Sequence, residues 1–352
     1  MNRRTVIVSL LALALMAWFL RGANIAEVWA QLRHARGGLL LVSLLAMGVI
    51  FLARTIRWRY LLSPLGPTRF RTVFRATVIG FGALGLLPVR VGDVIRPYLL
   101  ARQEGLSTSS VMATIVMERV LDLVAVLVLL AVYVWGFAGR SEMPAHLLRP
   151  IEVSAAIAAA VAVILLVVMW VLATHPERIG GLAAAAARVL PERFSRRVGG
   201  LASGFSSGFA ATRDMRMLVL ATFWSFPLWL GIGAQVWAVT VAFGIAMPYT
   251  GSFLLQSFLV LGVAVPTPGG VGSFHEAYRF GVTTFFGATN DRAIAAAIVT
   301  HAISFVPPVV VGILYMAQDG LSVGRLTDLA GSAREKERPE TNEVPVLRSS
   351  GR

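Results

Sequence analysis

Apolar runs of bilayer-crossing length recur along the whole chain, and no other feature restricts its fold so tightly. In hydrocarbon every backbone N–H and C=O must be satisfied inside the protein, so only helices or a closed barrel can cross. A barrel needs roughly ten-residue segments of alternating polarity, and the sequence has none. Helical spans are expected at about 4–20, 38–53, 111–138, 151–173, 217–244 and 291–317. The expected fold class is therefore an all-α polytopic membrane protein. Composition agrees, with 57% of the 352 residues hydrophobic and 14% charged, where a soluble domain carries about a quarter charged. The N-terminus resembles a signal peptide, but Arg21 follows the apolar run in place of a small-x-small cleavage site. An uncleaved first span is expected.

Two further apolar stretches, about 72–87 and 250–264, are short and run into Gly/Pro-rich polar segments. They are read as re-entrant hairpins, giving six full spans, or as complete crossings, giving eight. With both re-entrant and both termini cytoplasmic, 24 of the 32 Lys and Arg fall inside and 6 outside. The positive-inside rule favours that arrangement. It also implies an inverted repeat, in which 38–53, 72–110 and 111–138 correspond to 217–244, 250–286 and 291–317. Within it, 87–96 lies over 267–276, pairing Pro88 with Pro268 and Gly92 with Gly272. Residues 1–318 form the expected membrane domain. Residues 174–216 are expected to form amphipathic helices on the cytoplasmic surface or a solvated loop. Residues 319–352 read as a disordered cytoplasmic tail.

The net charge of +14 is nearly all arginine, Lys336 being the only lysine. In a chain this apolar it points to cytoplasmic loops and anionic lipid, not nucleic acid. With no cysteine, disulfides, thiolate metal sites and cysteine nucleophiles are excluded. "GFGALG" (80–85) has the G-x-G-x-x-G spelling but no strand before it, so it reads as close helix packing and not as a dinucleotide site. No cofactor and no metal site is expected.

The charges left at membrane depth carry the chemistry. In "LPVRVGDVIRPYLL" (87–100), Pro88 and Gly92 interrupt the helix, and irregular backbone at this depth must be buried or line a wet cavity. A helix starting near Asp93 points its amides into the break, where Arg90 and Arg96 add donors suited to phosphate. Both arginines also fit simple contact with lipid headgroups, and Asp93 a helix cap. Glu118, Arg119 and Asp122 sit inside the next span, with Glu118 roughly 10 Å deep and sharing a face with Asp122 at i, i+4. Intramembrane ions are costly and mark functional sites by default. A structural ion pair with the first hairpin's arginines is the alternative. In the second hairpin, Gly269, Gly270 and Gly272 permit an anion nest, followed by His275, Glu276 and Arg279, the last two spaced to pair. His301 in the last span stands near the register of Arg119.

Residues 87–130 resemble the flippase-like transmembrane family that includes the membrane domain of bacterial lysylphosphatidylglycerol synthases. Its Leu-Pro-x-Arg-x-Gly-acid-x-x-Arg loop and following Glu-Arg and Asp span match Pro88, Arg90, Gly92, Asp93, Arg96, Glu118, Arg119 and Asp122. Its Pro-Gly-Gly-x-Gly loop and acidic helix match Pro268, Gly269, Gly270, Gly272 and Glu276. The family usually has Arg where this chain has His301. The resemblance implies lipid translocation by a chain without a synthase domain. The expectation is a bacterial inner-membrane flippase for a phospholipid or polyprenyl-phosphate lipid, and not an enzyme. Glu118, Asp122 and Glu276 would balance charge or couple transport to protons. The alternatives are a membrane enzyme acting on a lipid phosphate, either a phosphatase or a lipid-carrier transferase, and a non-catalytic envelope scaffold. A homo-oligomer or a partner synthase is compatible with the sequence.

Overall fold

A computed structural model of the protein describes residues 3–86, 92–137, 145–174, 215–265 and 267–319. Arg90, nearly all of the 174–216 segment and the tail from 320 lie outside the described residues. Among the described residues the chain forms eleven α-helices and no strand. They are α1 Arg3–Phe19, α2 Ile25–His34, α3 Gly37–Leu62, α4 Phe70–Leu86, α5 Gly92–Glu104, α6 Thr108–Gly136, α7 Ala145–Thr174, α8 Met215–Ala242, α9 Gly251–Ala264, α10 Ser273–Phe286 and α11 Asn290–Gln318.

Four helical stretches are long and apolar enough to cross a bilayer: Gly37–Leu65, Arg149–Val168, Arg216–Ala242 and Asn290–Gln318. Two expected spans fall outside this set for physical reasons. α1, Arg3–Phe19, has only 17 residues and rises about 26 Å. The 29 residues of α6 are long enough, but the helix carries Glu118, Arg119 and Asp122. The spanning helices turn apolar stripes outward, as lipid requires. Leu41, Leu45, Val49 and Leu52 on α3, and Val306, Val310 and Leu314 on α11, are all exposed at the i, i+3, i+4 spacing of one helix face.

α3 and α8 run antiparallel along their whole length. The Arg36 N–H donates to the Ala242 carbonyl at 3.0 Å, Ser43 Oγ to the Gln235 carbonyl at 3.2 Å, and Arg57 Nη1 to Ser225 Oγ at 3.2 Å. α4 and α11 form a second antiparallel pair. Its close approach depends on the glycines of the G-x-G-x-x-G spelling. A Cβ on Gly82 would lie 2.7 Å from the Pro308 carbonyl oxygen, and one on Gly85 2.7 Å from Val309. α11 runs helical through Pro307 and Pro308, with α9 packed on α6 and α7 on α6.

The two short apolar stretches each become a helical hairpin. α4 and α5 start and finish together, because Arg69 Nε lies 3.2 Å from Glu104 Oε1 and Arg69 Nη2 donates to the Gln103 carbonyl at 3.4 Å. α9 and α10 do the same, with Gly251 against the ring of Phe286. Helices of 13 and 14 residues rise only about 20 Å, short of the roughly 30 Å hydrocarbon core. Arg75 meets Asp319 at 2.6 Å, placing the end of α11 beside the start of α4. At the opposite end the Asn24 N–H donates to Asp291 Oδ1 at 3.0 Å, and Arg292 Nη1 to the Gly244 carbonyl at 3.5 Å. The hairpins therefore open toward opposite faces, and the turn of the second meets the end of α4. A Cβ on Gly269 would stand 3.0 Å from the Gly85 carbonyl oxygen.

The α4–α5 packing allows a direct test. A Cβ on Gly92 would collide with the Gly80 carbonyl, whereas one on Gly48 meets nothing within 4 Å. Gly92→Ala is expected to cost about 1–3 kcal/mol through overpacking, and Gly48→Ala to stay within about 0.5 kcal/mol of the parent. Unfolding midpoints in detergent check both, and equal midpoints would contradict the packing.

Candidate functional site

Membrane-depth charges from three helices converge on one cluster. α3 contributes Arg54 and Arg57, three apart on one face. α5 contributes Arg96, and α6 contributes Glu118 and Asp122, four apart, with Arg119 beside them. Glu118 Oε1 accepts from Arg96 Nη1 at 2.9 Å, and lies 3.2 Å from Arg57 Nη2 and 3.7 Å from Arg54 Nη1. Glu118 and Arg57 are fully buried, at 0% exposure. Asp122 Oδ1 accepts from Arg57 Nη1 at 2.5 Å and from Trp229 Nε1 at 2.9 Å. Arg119 reaches Asp93 Oδ1 at 2.7 Å and Asp122 Oδ2 at 3.5 Å.

Aromatic faces support the cations where carboxylates do not. The guanidinium of Arg96 lies 3.7 Å from the Trp58 ring centroid, and that of Arg54 lies 4.3 Å from Phe81. Trp58 is held in turn by Nε1–H donation to Thr114 Oγ1 at 2.9 Å. Such desolvated cation–π contacts contribute about 2 kcal/mol. Among the described residues four guanidiniums here meet three carboxylates, those of Asp93, Glu118 and Asp122. One positive charge is in excess, and Glu118 Oε2, Arg54 Nε, Arg57 Nε and Arg96 Nε have no hydrogen-bond partner.

The cluster forms one wall of a cavity of about 380 Å³, which Arg54, Arg119 and Asp122 line directly. Arg57, Arg96 and Glu118 stand behind that wall. Arg119 is its most accessible ion, with 36% of its side chain exposed. The cavity is lined as well by Thr267, Gly269 and Gly270 of the second hairpin, together with Gln235, Gln256 and Ser304. Apolar side chains including Phe51, Val126 and Phe305 complete it.

The second hairpin contributes shape more than charge. Gly269, Gly270 and Gly272 all have positive φ, at 58°, 71° and 85°, a conformation only glycine adopts cheaply. The amides of Gly270, Val271 and Gly272 are bonded within the turn, away from the anion nest expected from the sequence. The Gly270 N–H donates to the Thr267 carbonyl and the Val271 N–H to the Pro268 carbonyl, both at 3.1 Å. The Gly272 N–H donates to His275 Nδ1 at 3.4 Å.

His301 Nε2 lies 2.8 Å from the Gly269 carbonyl, a contact that requires the proton on Nε2. His301 thus braces the loop, stacked 4.4 Å from Phe305 and 4.5 Å from His275. Neither histidine lines the cavity. Glu276 and Arg279 also stand away from it, paired with each other at 2.9 and 2.6 Å. Arg279 Nη1 donates further to Asn290 Oδ1 at 2.9 Å.

The sequence-predicted residues thus divide. Asp93, Arg96, Glu118, Arg119 and Asp122 share one network, and Gly269 and Gly270 line the same cavity. Gly272, His275 and His301 shape the loop, while Glu276 and Arg279 form a separate pair. Sequence reasoning missed Arg54, Arg57, Gln235 and Gln256. Arg54 and Arg57 were placed just beyond a span, although their i, i+3 spacing beside Trp58 was the available signal. The two glutamines gave none.

The fold, with its apolar helices and a cavity that three buried or half-buried ions line, defines a multi-pass helical membrane protein. The chain belongs to the lysylphosphatidylglycerol synthase TM region family, whose sequence model matches residues 5–312. It is 26% identical to a UPF0104 membrane protein of Methanothermobacter thermautotrophicus, over 89% of this chain and 93% of that protein. It is also 26% identical to a protein of Haloferax volcanii named glycosyltransferase AglD, over 94% of this chain and 56% of that protein. The chain therefore spans about half the length of the second relative.

Removing one partner from a buried ionic network leaves uncompensated charge and costs about 3–5 kcal/mol. Glu118→Leu, which strips a shared carboxylate from three guanidiniums, is expected to lower stability by that amount. Arg33→Ala, on the exposed face of α2 beside Trp29, should change it by under about 0.5 kcal/mol. Denaturant titration of the purified protein measures both, and a mild Glu118→Leu would contradict the network's role.

Proposed function

We propose that this protein is a lipid flippase or transporter of the cytoplasmic membrane, holding the phosphate of a membrane lipid in its cavity during passage between leaflets. The observation that carries this reading is the unbalanced positive charge at the cavity wall. Arg54 and Arg119 face the chamber, and among the described residues the ions around them sum to one net cation. A phosphodiester is a monoanion whose oxygens match guanidinium donors, so its arrival neutralises the cluster. The apolar remainder of the lining suits the first methylenes of a lipid.

The fold supports the transport reading. α3–α8 pairs with itself under a two-fold exchange of halves, α4–α11 corresponds to α9–α6, and the α4–α5 hairpin to α9–α10. Hairpins that open toward opposite faces, the turn of the second against the end of α4, fit an inverted repeat of re-entrant segments, the arrangement transporters use to place a site near the midplane. In this topology both termini are cytoplasmic.

A leaflet-exchange assay in proteoliposomes tests this. The wild-type chain is expected to move fluorescent phosphatidylglycerol across the bilayer faster than empty liposomes, and Arg119→Gln to lose about 90% or more of that rate, since a buried charge-assisted contact is worth roughly 1.5–3 kcal/mol. Phosphate release from the lipid, measured in the same vesicles, would instead favour an enzyme. Rates equal to empty liposomes across headgroups would count against transport.

A further inference from the structure

The cavity is also lined by a polar side chain that no described residue satisfies. Gln256, on α9, is 1% exposed, and neither Oε1 nor Nε2 has a hydrogen-bond partner. It lines the cavity together with Gln235 of α8 and Ser304 of α11. Gln235 Nε2 donates to Ser304 Oγ at 3.0 Å, which fixes that amide and leaves its oxygen available. Thr267 completes the patch, its Oγ1 3.2 Å from Ser273 Oγ.

This patch carries no formal charge, so it does not suit a cationic headgroup. It presents donors and acceptors side by side. A primary amide offers two N–H donors and a carbonyl acceptor, matching a hydroxyl that both gives and takes a hydrogen bond. A buried amide without a partner is costly, and a cavity-lining residue whose two polar atoms are both unused points to a ligand that supplies both kinds of bond. We propose that Gln256 and Gln235 form a hydroxyl-recognising subsite, so that the transported lipid carries a polyol, glycerol or a sugar, on its phosphate. The inference rests on the phosphate reading above and adds the headgroup class. A cavity of about 380 Å³ lies at the lower end of small-molecule sites, which span about 300–1,000 Å³.

The test compares lipids that differ only in hydroxyls. The full chain in proteoliposomes is given fluorescent phosphatidylpropanol, phosphatidylglycerol or phosphatidylglucose, all monoanionic phosphodiesters. Wild type is expected to move at least one hydroxylated lipid about tenfold faster than phosphatidylpropanol, the effect of two net hydrogen bonds. The faster of the two distinguishes sugar from glycerol. Gln256→Leu should bring that ratio close to one, and Gln235→Leu provides a second variant if the first does not elute as a folded species. Equal wild-type rates for all three lipids, or a preference that survives both substitutions, would overturn the subsite while leaving the phosphate reading intact. No movement of any lipid by wild type would remove both.

Discussion

Everything else in this molecule is arranged around a carboxylate that three arginines share. Glu118 sits fully buried where α3, α5 and α6 cross, bonded to Arg96 and close to Arg57 and Arg54. Ions of this kind gain little net stability against an apolar core of the same shape, yet none can be removed singly without stranding the others. The cluster therefore fixes how the three helices sit. Because the first hairpin must bring Arg96 to Glu118, α4 and α5 have to meet at Gly80 and Gly92 without a side chain between them.

The second half of the chain answers a different need. Its hairpin brings few charges into the chamber, and its own ion pair, Glu276–Arg279, is kept aside. It contributes a turn of positive-φ glycines braced by His301 and pressed against the end of α4. The charges that line the cavity thus come from α3 and α6, and the second half of the chain adds only neutral groups. A lipid headgroup with an anionic phosphate and a hydroxylated extension has the same asymmetry.

Much of this was legible in the sequence. Glu118 and Asp122 stood out because carboxylates inside an apolar span are expensive, and their i, i+4 spacing placed them on one face. The hairpins were legible from short apolar runs and from the distribution of arginines. Arg54 and Arg57 were not, since arginines at the end of an apolar run look like ordinary cytoplasmic anchors. Only the continuation of α3 to Leu62 shows that they lie inside the helix, facing α6. The Gly270, Val271 and Gly272 amides bond within their own turn, a choice between inward and outward bonding that residue types do not encode. Gln235 and Gln256 left no trace, because a single neutral amide in an apolar span is unremarkable until helices far apart in sequence place both on one cavity.

The central claim is that the excess positive charge at the cavity wall is there to hold a lipid phosphate. The most direct measurement is an electron cryomicroscopy map of the protein in phosphatidylglycerol nanodiscs, at a resolution that distinguishes headgroups. The account predicts phosphate density within hydrogen-bond distance of Arg119 and Arg54, inside the chamber and continuous with acyl density. A chamber holding only water, with phosphate confined to the two outer faces, would contradict it.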